Sequence, residues 1–394
     1  MKRILVATHV KFWHKSEGGE QRIQNIMELF NENGNEMVLL FVGSLGRTER
    51  RDLLINFPKV KIYTTENGQK DKIKSILKKF KIFKKINTKI KNTKDYTLDD
   101  YYSMKDSRIF NEVVLKEKPD VIWIEMIRLA YLISDNKNII DGNMHTVVDT
   151  LDVMHERCKL FSINNQKSWV NISEEEERKV LDIFDTVVAI QDTDKKKFEK
   201  MLNKNNVITV LHKPKVEKLP FRVSDRINIT YIAAGNISNV DSIKGFINSV
   251  WNKLYLKFGD KIRLNIYGKV SEYLDDVNEA GVSIKGFAEN LRDVYCESDI
   301  IINPVLFGSG LKIKNVEAIC YGKPLVTTSI GAEGIETGVN KGFILADDID
   351  DQYIYMERLI IDDKFREKIS NEAYLYSLNK FNTKNIYSEL REIL

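Results

Sequence analysis

Between Asn303 and Pro324 the chain leaves an apolar strand, crosses a short glycine loop, enters a helix and meets a second apolar strand. Asp299-Ile-Ile-Ile302 reads as the first strand and Pro324-Leu-Val-Thr-Thr328 as the second. Gly308, Ser309 and Gly310 make the loop, and the helix is predicted over Gly310 to Tyr321, with Lys312, Lys314 and Glu317 in its first turns. Backbone amides at a helix start, with two ammonium groups beside them, make a seat for phosphate. Glu317 follows Lys314 by three residues, so it shares that helix face and can accept hydrogen bonds from a sugar diol.

The same alternation runs through the whole chain. In the first half Arg3 to Thr8, Glu36 to Val42, Val121 to Glu125, Thr146 to Thr150 and Thr186 to Ile190 read as strands. Gly18-Gly19 opens a helix running to about Asn33, stopped by Gly34. In the second half Ile227 to Ala233 and Ile262 to Tyr267 are further strands, and Val240 to Phe258 reads as a helix. The end, from about Asp350, is helical with a break near Phe381-Asn-Thr. Strands alternating with helices imply parallel sheets covered on both faces. The expected class is α/β, with two Rossmann-like domains facing across a cleft. The expected division is an acceptor-side domain over 1–212, a linker over 213–222 with Pro214 and Pro220, a donor-side domain over 223–375 and a closing helix over 376–394 that packs back on the first domain. Ligands of such sheets sit beyond the carboxyl ends of the strands, so both glycine loops should border the cleft.

A chain of 394 residues exceeds one ordinary core. Cys158, Cys296 and Cys320 are far apart and odd in number, which favours neither a disulfide framework nor a zinc cage and suits a reducing cytoplasm. No run approaches the apolar length of a membrane span. The charge is uneven. Lys70 to Lys94 holds eleven lysines and one aspartate in a chain whose net charge is +4, so the remainder is acidic.

The run Asn303 to Pro324, continued by Thr327-Thr-Ser-Ile-Gly-Ala-Glu-Gly-Ile335, resembles the donor-site signature of glycosyltransferase family 4, whose members have the GT-B fold. Gly235-Asn236, leading into Val250-Trp251, is similar to the start of the second domain in one branch of that family, and Gly18-Gly19 to its amino-terminal glycine loop. The resemblance covers most of the second domain and is thinner in the first. It implies retaining transfer of a sugar from a nucleoside-diphosphate sugar, with no cofactor or metal required. Lys312, Lys314 and the amides of Gly308, Ser309, Gly310 and Leu311 would then stabilise the leaving diphosphate, and Glu317 would hold the ribose. Gly18, Gly19, Gly235 and Asn236 would complete the donor site, with Ala288 and Leu291 near the base. The acceptor hydroxyl would attack from the side of the first domain.

The chain also departs from that pattern. Ser309 stands where many members carry a glutamate, and Asn236 and Ser242 stand where many carry Arg and Lys. Asp152 takes the place of the usual first-domain histidine, with His155 one turn on, and either one is a candidate to touch donor sugar or acceptor hydroxyl. Plainer readings stand beside these. Lys312 and Lys314 could be solvated, Gly18-Gly19 only a turn, Asp152 a helix cap, and Asp149 a strand end. Asp192-Thr-Asp194 and Asp347 to Asp351 precede lysine-rich or apolar helices and read as capping groups rather than a metal site. His9 and His14 have no partner at ligand spacing.

The basic run carries Ile73, Ile76, Leu77, Phe80, Phe83, Ile86 and Ile90 at helical spacing. Such a helix, with Lys78, Lys79, Phe80, Phe83 and Lys84 at its centre, suits an anionic membrane surface; a stripe packed on the first domain is the alternative, and no nucleic-acid motif accompanies it. The reading is a cytoplasmic glycosyltransferase, peripheral on the inner face of the membrane, acting on a glycan or lipid-linked acceptor in polysaccharide biosynthesis. A GT-B nucleotide-sugar epimerase and a non-catalytic nucleotide-sugar binding module are the alternatives.

Overall fold

The computed structural model describes residues 1–14, 18–66, 96–140, 142–164, 168–203 and 206–394, without the side chains of Thr383 and Lys384. The basic run and its membrane-facing candidates Lys78, Lys79, Phe80, Phe83 and Lys84 lie outside the described residues. Two compact units are present, Met1–Val210 with Glu389–Leu394, and Leu211–Ser388.

The first unit is built on seven strands: β1 (Arg3–Thr8), β2 (Glu36–Phe41), β3 (Lys61–Thr64), β4 (Val121–Glu125), β5 (His145–Asp149), β6 (Thr186–Ala189) and β7 (Val207–Thr209). They pair in parallel in the order β3-β2-β1-β4-β5-β6-β7. Ile4 to Ala7 and Val121 to Ile124 are fully buried, as continuous apolar strands in a two-sided sheet must be. Helices Gly18–Glu32, Arg47–Asn56, Met104–Glu117, Met154–Ile163, Glu174–Leu181 and Asp192–Met201 supply the crossovers. The tail from Glu389 closes this unit: Glu389 Oε2 accepts from Thr209 N at 3.0 Å and from Lys195 Nζ at 2.8 Å, and Leu390 is fully buried.

The second unit repeats the plan with β8 (Ile227–Ile232), β9 (Ile262–Tyr267), β10 (Val282–Gly286), β11 (Ile300–Asn303), β12 (Leu325–Thr327) and β13 (Ile344–Leu345), ordered β10-β9-β8-β11-β12-β13. All its ladders are parallel. In both sheets the chain reverses its direction of growth once, between β1 and β4 and between β8 and β11. Ligands of open α/β sheets collect at that reversal, beyond the carboxyl ends of the strands.

Two helix expectations need correction. The helix expected from Gly310 begins only at Ile313, because Gly308 and Gly310 have φ of +143° and +75°, outside the helical region. The helix expected from Val240 begins at Ile237, where the Asn236 side chain caps it by accepting from Asn239 N at 3.0 Å, and it carries a π-helical turn at Ile247–Trp251. The terminal helices Ile349–Ile361 and Asp363–Lys380 part at Asp362, which caps the second through Phe365 N.

Candidate active site

The glycine loop after β11 is held from below by side chains that local sequence does not point to. Ser238 donates to Phe307 O. Ser242 accepts from Leu306 N at 3.2 Å, and Thr328 donates to Val305 O at 2.6 Å. Ser242 thus serves to fix the loop backbone. Gly331 sits under the same turn. Asn315 Nδ2 donates to Gly331 O at 2.8 Å and to Thr327 Oγ1 at 3.1 Å, and Thr327 donates to Asn303 O at 2.8 Å.

Above this floor the two lysines differ. Lys312, at the cap position of helix Ile313–Cys320, bends back: Nζ donates to Gly310 O at 2.5 Å and lies 3.4 Å from Glu333 Oε2. Lys314 Nζ reaches the helix Ile237–Phe246, donating to Asn239 Oδ1 at 3.2 Å, and stands 5.1 Å over the Tyr231 ring. Although Lys314 as a whole is only half-buried, burial of its amine, helped by the charge of Lys312, lowers its pKa to about 7. Asn239 is itself fixed, donating from Nδ2 to Ala234 O at 3.0 Å. Glu317 accepts from the buried Tyr295 hydroxyl at 3.2 Å, and the same hydroxyl lies 3.1 Å from Lys314 O.

Gly235 admits no side chain, since a Cβ there would lie 2.6 Å from Tyr273 Cε2 and 3.0 Å from Lys269 O. The second unit therefore gathers Gly235, Asn236, Gly308, Ser309, Gly310, Leu311, Lys312, Lys314 and Glu317 around the β8–β11 reversal. Ala288 and Leu291 follow β10, Leu291 opening helix Leu291–Glu297. Asn239, Ser238, Ser242 and Tyr231 join the site only through tertiary contact.

The first-unit candidates fall on carboxyl ends of β1 and β5 and are tied to their own unit. Gly18-Gly19 starts its helix, with a Cβ at Gly19 lying 3.3 Å from Leu151 Cδ1. Asp152 Oδ2 is 3.4 Å from Arg157 Nη1. His155 Nδ1 lies 2.7 Å from Glu177 Oε2, and that bond chiefly raises its pKa. The buried Glu177 also accepts from the backbone N–H of Met154 and His155, each at 2.8 Å, so one carboxylate caps the helix Met154–Ile163 and orients the imidazole. Asp149 is locked to Arg22. Asp192 and Asp194 lie in the first turn of their helix, and Asp348 caps its own through Asp351 N. Among the described residues no group of His, Cys, Asp and Glu is arranged to hold a metal ion, and no helix is long and apolar enough to cross a membrane.

Comparison with known proteins follows this division. Residues 228–362 match the family model "Glycosyl transferases group 1". An uncharacterized 44.6 kDa protein in the cps region of Klebsiella pneumoniae is 25% identical over 223 residues, covering 52% of this chain and 55% of that protein. The chain thus aligns with about half the length of this relative. A mutant of S. aureus TarM in complex with Fondaparinux, alpha-GlcNAc-glycerol and UDP superposes with a TM-score of 0.71 at 14% identity, over 100% of this chain and 99% of TarM. Anabaena HepE in complex with UDP and glucose gives 0.69 at 12% identity, over 100% and 99%. Both likenesses are of fold. The chain has the GT-B fold, and residues 228–362 of its second unit match the glycosyl transferases group 1 model.

Proposed function

We propose that the chain transfers a sugar, with retention and without a metal, from a nucleoside-diphosphate sugar to a glycan or lipid-linked acceptor. The observation that carries this reading is the amine of Lys314, desolvated against Tyr231 and Asn239 beside Lys312 and the Gly308–Leu311 loop. Among the described residues no carboxylate pairs with the Lys314 amine. An arriving diphosphate supplies an oxyanion partner, raises the pKa and draws a proton onto the amine. As the bond between the anomeric carbon and the β-phosphate oxygen breaks, its electron pair moves to that oxygen. Lys314, Lys312 and the loop amides stabilise the growing charge. The acceptor oxygen bonds to the anomeric carbon on the face the diphosphate leaves, and its proton passes to the departing phosphate. Glu317, oriented by Tyr295, holds the ribose diol.

TarM and HepE, by their descriptions, hold UDP, and HepE also glucose. A uridine diphosphate donor is therefore the first to test. Thermal shift with UDP, GDP and their sugars reports native-state binding. Release of free sugar without acceptor separates a transferase from a binding module. Proton spectra of the product give the anomeric configuration, and activity that survives EDTA supports independence of metal. The lysine-rich run over 70–94 supports a place at an anionic membrane surface. Charge reversal at Lys78, Lys79, Lys81, Lys84 and Lys85 should then abolish binding to phosphatidylglycerol vesicles; a parent chain that ignores such vesicles at low salt removes this part of the reading.

A further inference from the structure

Arg128 carries a positive charge that no carboxylate among the described residues answers. It lies just past β4, its guanidinium carbon 4.8 Å from the Trp169 ring centroid and 5.7 Å from that of Tyr101. The Tyr101 hydroxyl donates to Trp169 O at 2.7 Å, so the two rings form a fixed frame. The cation donates from Nη2 to the weak acceptor Met126 Sδ at 3.1 Å, and its Nε is buried without a partner among the described residues. Burial pulls its pKa down to about 10, which leaves the charge in place. Beside it, just past β1, stands His9, whose Nδ1 is likewise buried with no partner among the described residues. Burial first, and the charge of Arg128 second, lower the His9 pKa to about 3 and keep the ring neutral.

These are costly arrangements. A buried donor left without an acceptor is costly, and more so when it is charged. Met126, between β4 and Arg128, adds a non-glycine φ of +68°, a strain that persists only where the surroundings enforce it. All of this sits where the first sheet reverses, between β1 and β4, the place such sheets receive ligands. What the cluster lacks is an oxyanion. Guanidinium forks match carboxylate and phosphate, and a neutral imidazole adds one donor and one acceptor for the oxyanion and a neighbouring hydroxyl.

We propose that Arg128, framed by Trp169 and Tyr101, binds together with His9 a carboxylate or phosphate carried by the acceptor saccharide. The assignment to an acceptor rests on the transferase reading above, in which the second unit takes the donor. The experiment follows the Arg128 Nε–H resonance in arginine-labelled full-length protein, identified by its loss in Arg128→Lys. UDP is present throughout to fill the donor seat. Inorganic phosphate, glycerol 1-phosphate and glucuronate are the probes, and glucose is the neutral control. The expected result is a saturable shift with the anions and none with glucose. A stronger response to the phosphates identifies a phosphate-bearing acceptor, and a stronger response to glucuronate a uronate. In Arg128→Lys and Arg128→Gln the anion affinity, read by calorimetry, should fall by about tenfold or more. No response to any anion, or an equal response to glucose, overturns the proposal, and so does unchanged affinity in both folded variants. The UDP-induced rise in melting temperature on the same samples separates the two readings. If it is absent while Arg128 answers anions, the donor assignment fails and the anion site stands.

Discussion

Arg22 closes on Asp149 with two nitrogens, Nε at 2.9 Å from Oδ2 and Nη2 at 2.5 Å from Oδ1, and both side chains are buried. A third nitrogen, Nη1, donates to Val210 O at 2.7 Å. The pair ties the helix that starts at Gly18 to the end of β5. Removing one member of a buried pair leaves an unanswered charge, so Arg22→Gln should destabilise the first unit by about 3–5 kcal/mol. Urea unfolding followed by tryptophan fluorescence measures this. A loss below ~1 kcal/mol would mean that water reaches the pair.

Glu125, at the end of β4, faces the same pair without a cation of its own. Burial first, and the charge of Asp149 second, raise its carboxyl well above the usual range, although Trp123 Nε1 donates to it at 2.9 Å. The folded chain therefore holds a proton that the unfolded chain releases near pH 4.5. Stability through this group falls as pH rises above that value. Glu125→Gln keeps the neutral shape and should remove the fall, leaving the variant at least as stable as the parent at pH 7. Asp149→Asn should lose stability throughout. Melting temperatures between pH 4 and 8 decide it, and a Glu125→Gln variant that melts lower at pH 7 contradicts the assignment.

Lys314→Ala should lower kcat by on the order of a hundredfold or more if the amine stabilises the leaving phosphate as proposed. Because its amine titrates near 7, kcat/KM in the parent should decline as pH rises through that point. Bound diphosphate raises the pKa, so kcat should hold to higher pH. The stability effect has the opposite sense. The unfolded lysine binds a proton up to about 10.5 and the folded one only to about 7, so the unliganded chain gains stability through this group between those values. Lys314→Met should flatten that gain. Steady-state rates and unliganded melting curves across pH 6 to 10 test both, and a pH-independent kcat/KM would refute the role.

Gly331→Ala places a Cβ 1.9 Å from Thr327 Oγ1, the hydroxyl that joins Asn303 to Asn315. Such overpacking should destabilise the second unit by about 1–3 kcal/mol and weaken UDP binding with it. Gly142→Ala, which meets nothing within 4 Å, should change neither. Chemical denaturation and UDP calorimetry on both variants provide the comparison.

The parallel-sheet plan was readable because buried strands are unbroken apolar runs: the limits read for Arg3–Thr8, Val121–Glu125 and Ile262–Tyr267 are those observed. β3, β7, β10 and β13 carry no such mark. β10 is an edge strand with Ile284 and Lys285 exposed and none of its residues buried, so no apolar run marks it, and β7 and β13 have three and two residues. The proposed phosphate seat is legible because its glycines and lysines are neighbours in sequence. Its supports are not. Asn239 and Ser242 approach the loop from more than sixty residues away, and asparagine and serine carry no local signal for that duty. Arg128 is hidden for the same reason, since Trp169 meets it only in the folded sheet.

The tail that begins at Glu389 covers the outermost strand of the first sheet, taking up the amide of Thr209. Shortening the chain by these six residues would release Lys195 from Glu389 but would leave the glycines and lysines of the candidate site in place. It would instead leave a raw selvedge of peptide groups, open to stitching onto another molecule. Turbidity and oligomers, rather than a slower reaction, would be the first sign of the cut.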